Sequence, residues 1–100
     1  MENMVFLQLR RKYHDVYYYK TTEDYEVDFF LPSEGSLIQV AQHFDSAETR
    51  ERELRALVSA ANEQKRAKKL VIITESEKSE FEMEGIQIQA TPLYEWLLQV

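Results

Sequence analysis

Apolar residues recur along this chain with two periods, and each change of period marks where helix gives way to strand. The opening stretch MENMVFLQLRRKY puts Val5, Phe6 and Leu9 on one face of a helix that starts at the first residues. Residues 15–20, DVYYYK, and 25–31, YEVDFFL, are rich in aromatic and β-branched side chains and read as strands. In the second of these, Tyr25, Val27, Phe29 and Leu31 alternate with Glu26, Asp28 and Phe30, so the two sets are expected on opposite faces. Pro32 stops the strand, and PSEG turns the chain into a third, Ser36 to Ala41.

The period then returns to that of a helix. Leu54, Leu57, Val58 and Ala61 form the buried stripe of a helix from about Ala47 to Arg66. Asp45 or Ser46 caps it, with Glu48 placed to complete a capping box from Asp45. Acidic residues gather at its start and Lys65, Arg66, Lys68 and Lys69 at its end, as the helix dipole favours. KLVIIT, residues 69–74, is a nearly continuous apolar run, the mark of a strand covered on both faces. Two short strands, Phe81–Met83 and Ile86–Ala90, follow around Gly85. Thr91 as cap and Pro92 as first helical residue then predict a closing helix, PLYEWLLQV. The order αβββαβββα, with a long helix between two strands, predicts an α/β fold with a central mixed β-sheet flanked by helices.

Composition narrows the function classes. One hundred residues make a single small domain, and 44% hydrophobic with 30% charged residues is a globular balance. The absence of cysteine excludes disulfides and thiolate metal sites and agrees with a reducing cytoplasm, the expected location. No apolar run approaches the roughly 20 residues of a membrane span, so no membrane partner is expected. A net charge of −6 opposes a general attraction to nucleic acid, though a local basic patch is compatible with it. With two glycines the chain cannot build a glycine-rich phosphate-binding loop, and no nucleophile motif is present. The first helix has no Ser, Thr, Asp or Asn ahead of it, which suggests a domain excised from a longer protein.

Candidate chemistry centres on the second and third strands. Glu26 and Asp28 are two apart on one strand, Gln39 and Ala41 two apart on the next, and neighbouring strands would bring all four toward one spot. The plainer reading sets both acids on the solvated side of an antiparallel hairpin. His14 and His43 lack spaced partners and read as structural or surface residues. Arg50, Arg52 and Arg55, interspersed with Glu48, Glu51 and Glu53, read as a salt-bridged solvent face. Trp96 with Leu97 and Leu98 reads as the packed face of the last helix.

In order along the chain, MENMVFLQLRR, VYYYK, YEVDFFL, LIQVA, ETREREL, VIIT and TPLYEWLL resemble the carboxy-terminal domain of a family of prokaryotic AAA+ type ATPases. The resemblance covers essentially the whole chain. It implies a P-loop ATPase and a winged-helix segment ahead of this domain, and a restriction-endonuclease-like architecture of the PD-(D/E)xK superfamily. By that resemblance Glu2 corresponds to the acid of the first helix and Asp28 to the metal-binding Asp. Gln39 then stands at the second acid and Ala41 at the Lys. Two of the four positions have departed. A neutral Gln39 carbonyl is a poor Mg²⁺ partner, and Ala41 lacks the ammonium that would position water and stabilise charge, a loss of about 10²–10³ in rate.

The expected role is therefore a non-catalytic accessory or binding module of an AAA+ type ATPase, with a degraded nuclease site. Its expected partners are the N-terminal ATPase domain of the parent chain or nucleic acid. ATP would bind only in that parent domain. One alternative is a metal-dependent nuclease using Asp28 and Glu26, the latter restoring a carboxylate for Mg²⁺ or Mn²⁺. Another is a pure protein-interaction domain presenting Tyr17, Tyr19 or Trp96.

Overall fold

Among residues 1–99, which a computed structural model describes, three helices and six strands follow in the order αβββαβββα. They are α1 (Glu2–Lys12), β1 (Tyr17–Lys20), β2 (Glu26–Leu31), β3 (Ser36–Ala41), α2 (Ala47–Glu63), β4 (Lys69–Thr74), β5 (Ser79–Met83), β6 (Ile86–Pro92) and α3 (Leu93–Gln99). One mixed sheet holds all six strands in the order β1-β2-β3-β4-β6-β5. The first three form an antiparallel meander, α2 crosses over to make β4 parallel to β3, and β6 lies parallel to β4 with β5 outside it.

Each face of the sheet has its own core. Leu54, Leu57 and Val58 of α2 pack on Val27, Phe30, Leu37, Ile72 and Ile88. Val5 and Leu9 of α1 and Trp96 of α3 pack on Phe29, Leu31, Ile38, Val71 and Ile73. The continuous apolar run of β4 follows from its central place, since alternate residues feed opposite cores.

The regular alternation expected in β2 does not hold. Val27 joins Phe30 on the α2 side, whereas Phe29 and Leu31 lie on the other side. Tyr17 pairs with Phe30 but Tyr19 with Val27, so Tyr18 alone stands opposite Asp28 and Phe29. This is a β-bulge, and its extra residue shifts the parity of every side chain beyond it.

The helix α2 begins at Ala47 as expected and takes Ser46 of its two candidate caps, the hydroxyl accepting from the Thr49 N–H at 3.1 Å, but two other boundaries move. The helix stops at Glu63 instead of Arg66, and the following turn lets the Lys68 and Lys69 N–H groups both donate to the Gly35 carbonyl, at 2.8 and 3.0 Å. Gly35 is required there: its φ is +63°, and an added Cβ would lie 2.8 Å from the Arg66 carbonyl oxygen. Finally, Thr91 and Pro92 do not open α3. They end β6, in register with Ile73 and Thr74, because the ladder with β4 holds them extended.

The residues considered for an exposed interaction patch separate. Tyr17 is exposed, but Tyr19 packs edge-on to Phe30 and donates its hydroxyl to Glu63, and Trp96 is core.

Candidate functional site

The bulge places Asp28 where β2 parts from β3. Regular pairing runs from Leu31↔Ser36 to Phe29↔Ile38 and goes no further. Beyond it, side chains take over the ladder's bonds. The Gln39 amide accepts from the Asp28 N–H at 2.8 Å and donates to the Glu26 carbonyl at 3.0 Å. The Asp28 carboxylate in turn accepts from the Val40 N–H at 2.8 Å. Gln39 is 3% exposed, so its two bonds satisfy its own buried amide as well as two backbone groups that the parted ladder leaves unpaired. An amide offers both an acceptor and a donor in this position, whereas an ionised Glu would be acceptor-only.

The parted strands open a cleft of about 350 Å³ lined by Glu2, Glu26, Asp28, Gln39, Arg52 and Glu53 among others. Four of the five positions singled out in the sequence thus meet: Glu2 from the start of α1, Glu26 and Asp28 from β2, and Gln39 from β3. Ala41 does not line the cleft and is buried in the α2-side core with Phe44 and Leu54. A lysine there would have to leave that core to reach the cleft.

Glu53 was placed by its sequence context on a solvated helix face, yet it is half-buried in the cleft. The signal was present: Glu53 precedes Leu54 and lies four residues before Leu57, on the border of the buried stripe. Its neighbours otherwise follow the expected pattern. Arg52 stands 3.6 Å from Glu53, and Arg55 bonds Glu51 at 2.9 Å and Glu84 at 2.7 Å. Arg50 instead leaves the helix surface, meeting Glu77 at 2.6 Å with its guanidinium 5.0 Å from the centre of the Phe44 ring.

Crowded carboxylates in a partly dry cleft resist ionisation. Burial pushes the Asp28 carboxyl up to about 6 from 3.8; the Val40 N–H opposes the shift, while Glu2 and Glu26 add to it. Burial, then the charge of Asp28, raises Glu53 as well, against the pull of Arg52. The cleft therefore presents negative charge that repels a phosphate unless a cation intervenes. The donor set does not fit a catalytic metal centre. One Asp28 oxygen and the Gln39 carbonyl are turned to backbone N–H groups, and among the described residues no three His, Cys, Asp or Glu side chains are grouped to hold a metal.

His43 lines a separate, smaller cleft where β3 and β4 end, beside Asp45, Thr74 and Glu77, and His14 is exposed after α1.

The model of the family described as Domain of unknown function (DUF4143) matches residues 1–96, and the chain belongs to that family. No curated protein and no solved structure matches it significantly.

Proposed function

We propose that this member of the DUF4143 family is a non-catalytic binding module, the carboxy-terminal accessory domain of an AAA+ type ATPase, in which a restriction-endonuclease-like frame has kept its shape and lost its chemistry. The observation that carries the reading is the Gln39 amide, whose two ends are bonded to the backbone of β2 at the place where a nuclease needs a second metal-binding carboxylate. The residue serves the fold instead of a reaction. Ala41, sealed in the core, supplies nothing in place of the missing lysine. The seven-segment resemblance supports the ATPase as the parent, and the meander, crossover helix and parallel strand are compatible with the nuclease-like frame.

The test is incubation of the domain with single- and double-stranded DNA in Mg²⁺ or Mn²⁺. No cleavage above a protein-free control is expected. Cleavage that Asp28→Ala abolishes would overturn the proposal and favour the metal-dependent nuclease, whereas cleavage unchanged in that variant would identify a contaminant. Joint purification of the domain with the ATPase region of its parent chain, expressed separately, tests the second half of the reading.

A further inference from the structure

The cations of this acidic chain are sorted by position. Of its twelve Lys and Arg residues, five (Lys20, Arg50, Arg52, Arg55 and Lys78) stand in ion pairs with Asp or Glu. The other seven have no such partner among the described residues, and they occupy two segments. Arg10, Arg11 and Lys12 end α1, while Lys65, Arg66, Lys68 and Lys69 follow α2.

The fold brings the two segments together. Lys68 and Lys69 are tied through their N–H groups to Gly35 in the β2–β3 turn. Lys12 and Lys69 line one cavity with Glu34 of the same turn, on the α1 side of the sheet. Lys65 and Lys68 line another on the α2 side. Lys12, Lys65, Lys68 and Lys69 thus stand at the end of the sheet where β3 and β4 begin, with Arg66 between them in sequence and Arg10 and Arg11 in the last turn of α1, the Arg10 guanidinium 6.0 Å from the centre of the Phe6 ring. The acidic cleft lies toward the other end, about 15 Å away by the length of α1 between Glu2 and Lys12.

Helix dipoles explain part of this arrangement. Each helix C-terminus carries about half a negative charge, so α1 and α2 together offset roughly one of the seven. Glu34 offsets another. Glu63, bonded by the neutral Thr22 and Tyr19 and still charged, offsets one more, whereas Glu84 is paired with Arg55. Most of the positive charge is left facing solvent.

We propose that this basic end is a nucleic-acid-binding surface that neutralises the phosphodiester backbone. Four of its seven cations are lysines, a residue depleted from protein–protein interfaces and well suited to phosphate. The exposed large apolar residues Met4, Phe6, Leu7, Tyr17, Tyr18, Tyr94 and Leu98 lie outside the two basic segments. The surface names the partner of the binding module, and it rests on the charge distribution, not on the cleft. DNA binding without cleavage satisfies both proposals, while failure to bind sinks this one and leaves the other standing.

The experiment is a fluorescence anisotropy titration of the whole chain against a labelled oligodeoxynucleotide, single-stranded and duplex, over a range of salt concentrations. Binding should weaken with salt, with a log–log slope of about −0.9 per neutralised phosphate on duplex. The double variant Lys65→Gln/Lys68→Gln should bind roughly tenfold or more weakly and flatten that slope by about 2. Lys20→Gln/Lys78→Gln removes the same charge elsewhere and should stay within about twofold. Circular dichroism on both variants confirms that they fold. No binding at low salt would overturn the proposal, as would equal weakening by the two double variants. Equal affinity for polyglutamate, or binding to phosphatidylserine vesicles in the absence of oligonucleotide binding, would do the same.

Discussion

The two ends of the β2–β3 hairpin are held together by different means. At the turn, a glycine with φ of +63° lets two backbone N–H groups reach its carbonyl, and three successive residue pairs lie in regular register. At the other end, where β2 is bulged against β1, the β2–β3 pairing stops after Phe29↔Ile38, and one glutamine amide replaces the lost ladder. The backbone-sealed end carries the free cations, and the side-chain-sealed end carries the acids. A bond made by backbone is indifferent to most substitutions, whereas a bond made by a side chain can be lost with one residue. The open end is therefore where evolution could change chemistry, and also where a change is felt as instability.

Four substitutions grade this contrast. Leu57→Ala, in the core beneath the sheet, sets the scale. Leu57 is 0% exposed, so its truncation should cost about 2–5 kcal/mol in chemical denaturation. A loss below about 0.5 kcal/mol would refute the assigned helix face.

Gln39→Glu removes the donor to the Glu26 carbonyl and adds charge beside Asp28. At neutral pH it should cost about 2–4 kcal/mol. The loss should shrink as pH falls and the new carboxyl takes up a proton, which lets it donate again. A neutral outcome at pH 7 would mean that the amide is not what seals the open end.

Gly35→Ala tests the turn end. Positive φ together with the Arg66 carbonyl in the way should cost about 1–3 kcal/mol, mostly as backbone strain. Unlike the previous loss, this one should not vary between pH 4 and 8, since no titrating group is involved.

The smallest effect has the opposite sign. Asp28 has a folded-state pKa of about 6, above its ordinary 3.8, so the folded chain holds that proton more tightly than the unfolded chain. The stability it contributes is present below about pH 4 and is lost as pH rises through about 6. Asp28→Asn keeps an acceptor for the Val40 N–H and removes the charge. It should stabilise the protein by about 1 kcal/mol at pH 7, after discounting for the cleft's access to solvent, and by nothing at pH 4. Equal denaturation midpoints for the two proteins at pH 7 would show that the cleft tolerates the charge at no cost.

Most elements were legible because their signals are local. The stripe Leu54, Leu57, Val58 and the apolar run of β4 need no knowledge of what packs on them. The site was partly legible: alternation and resemblance singled out Glu2, Glu26, Asp28 and Gln39, and these do meet. The positions of Ala41 and Glu53 depend on the element packed opposite each: α2 and Phe44 cover Ala41, and the parted β2 and β3 stand beside Glu53.

The sequence by itself determined the element types, the mixed sheet and the surplus of acid over base, since periodicity, turn chemistry and charge are properties of the chain. Tertiary structure decided the bulge at Asp28, the work of the Gln39 amide and the gathering of the seven cations at one end. Each of these depends on groups far apart in sequence competing for the same bonds and the same space, and no local pattern records who wins.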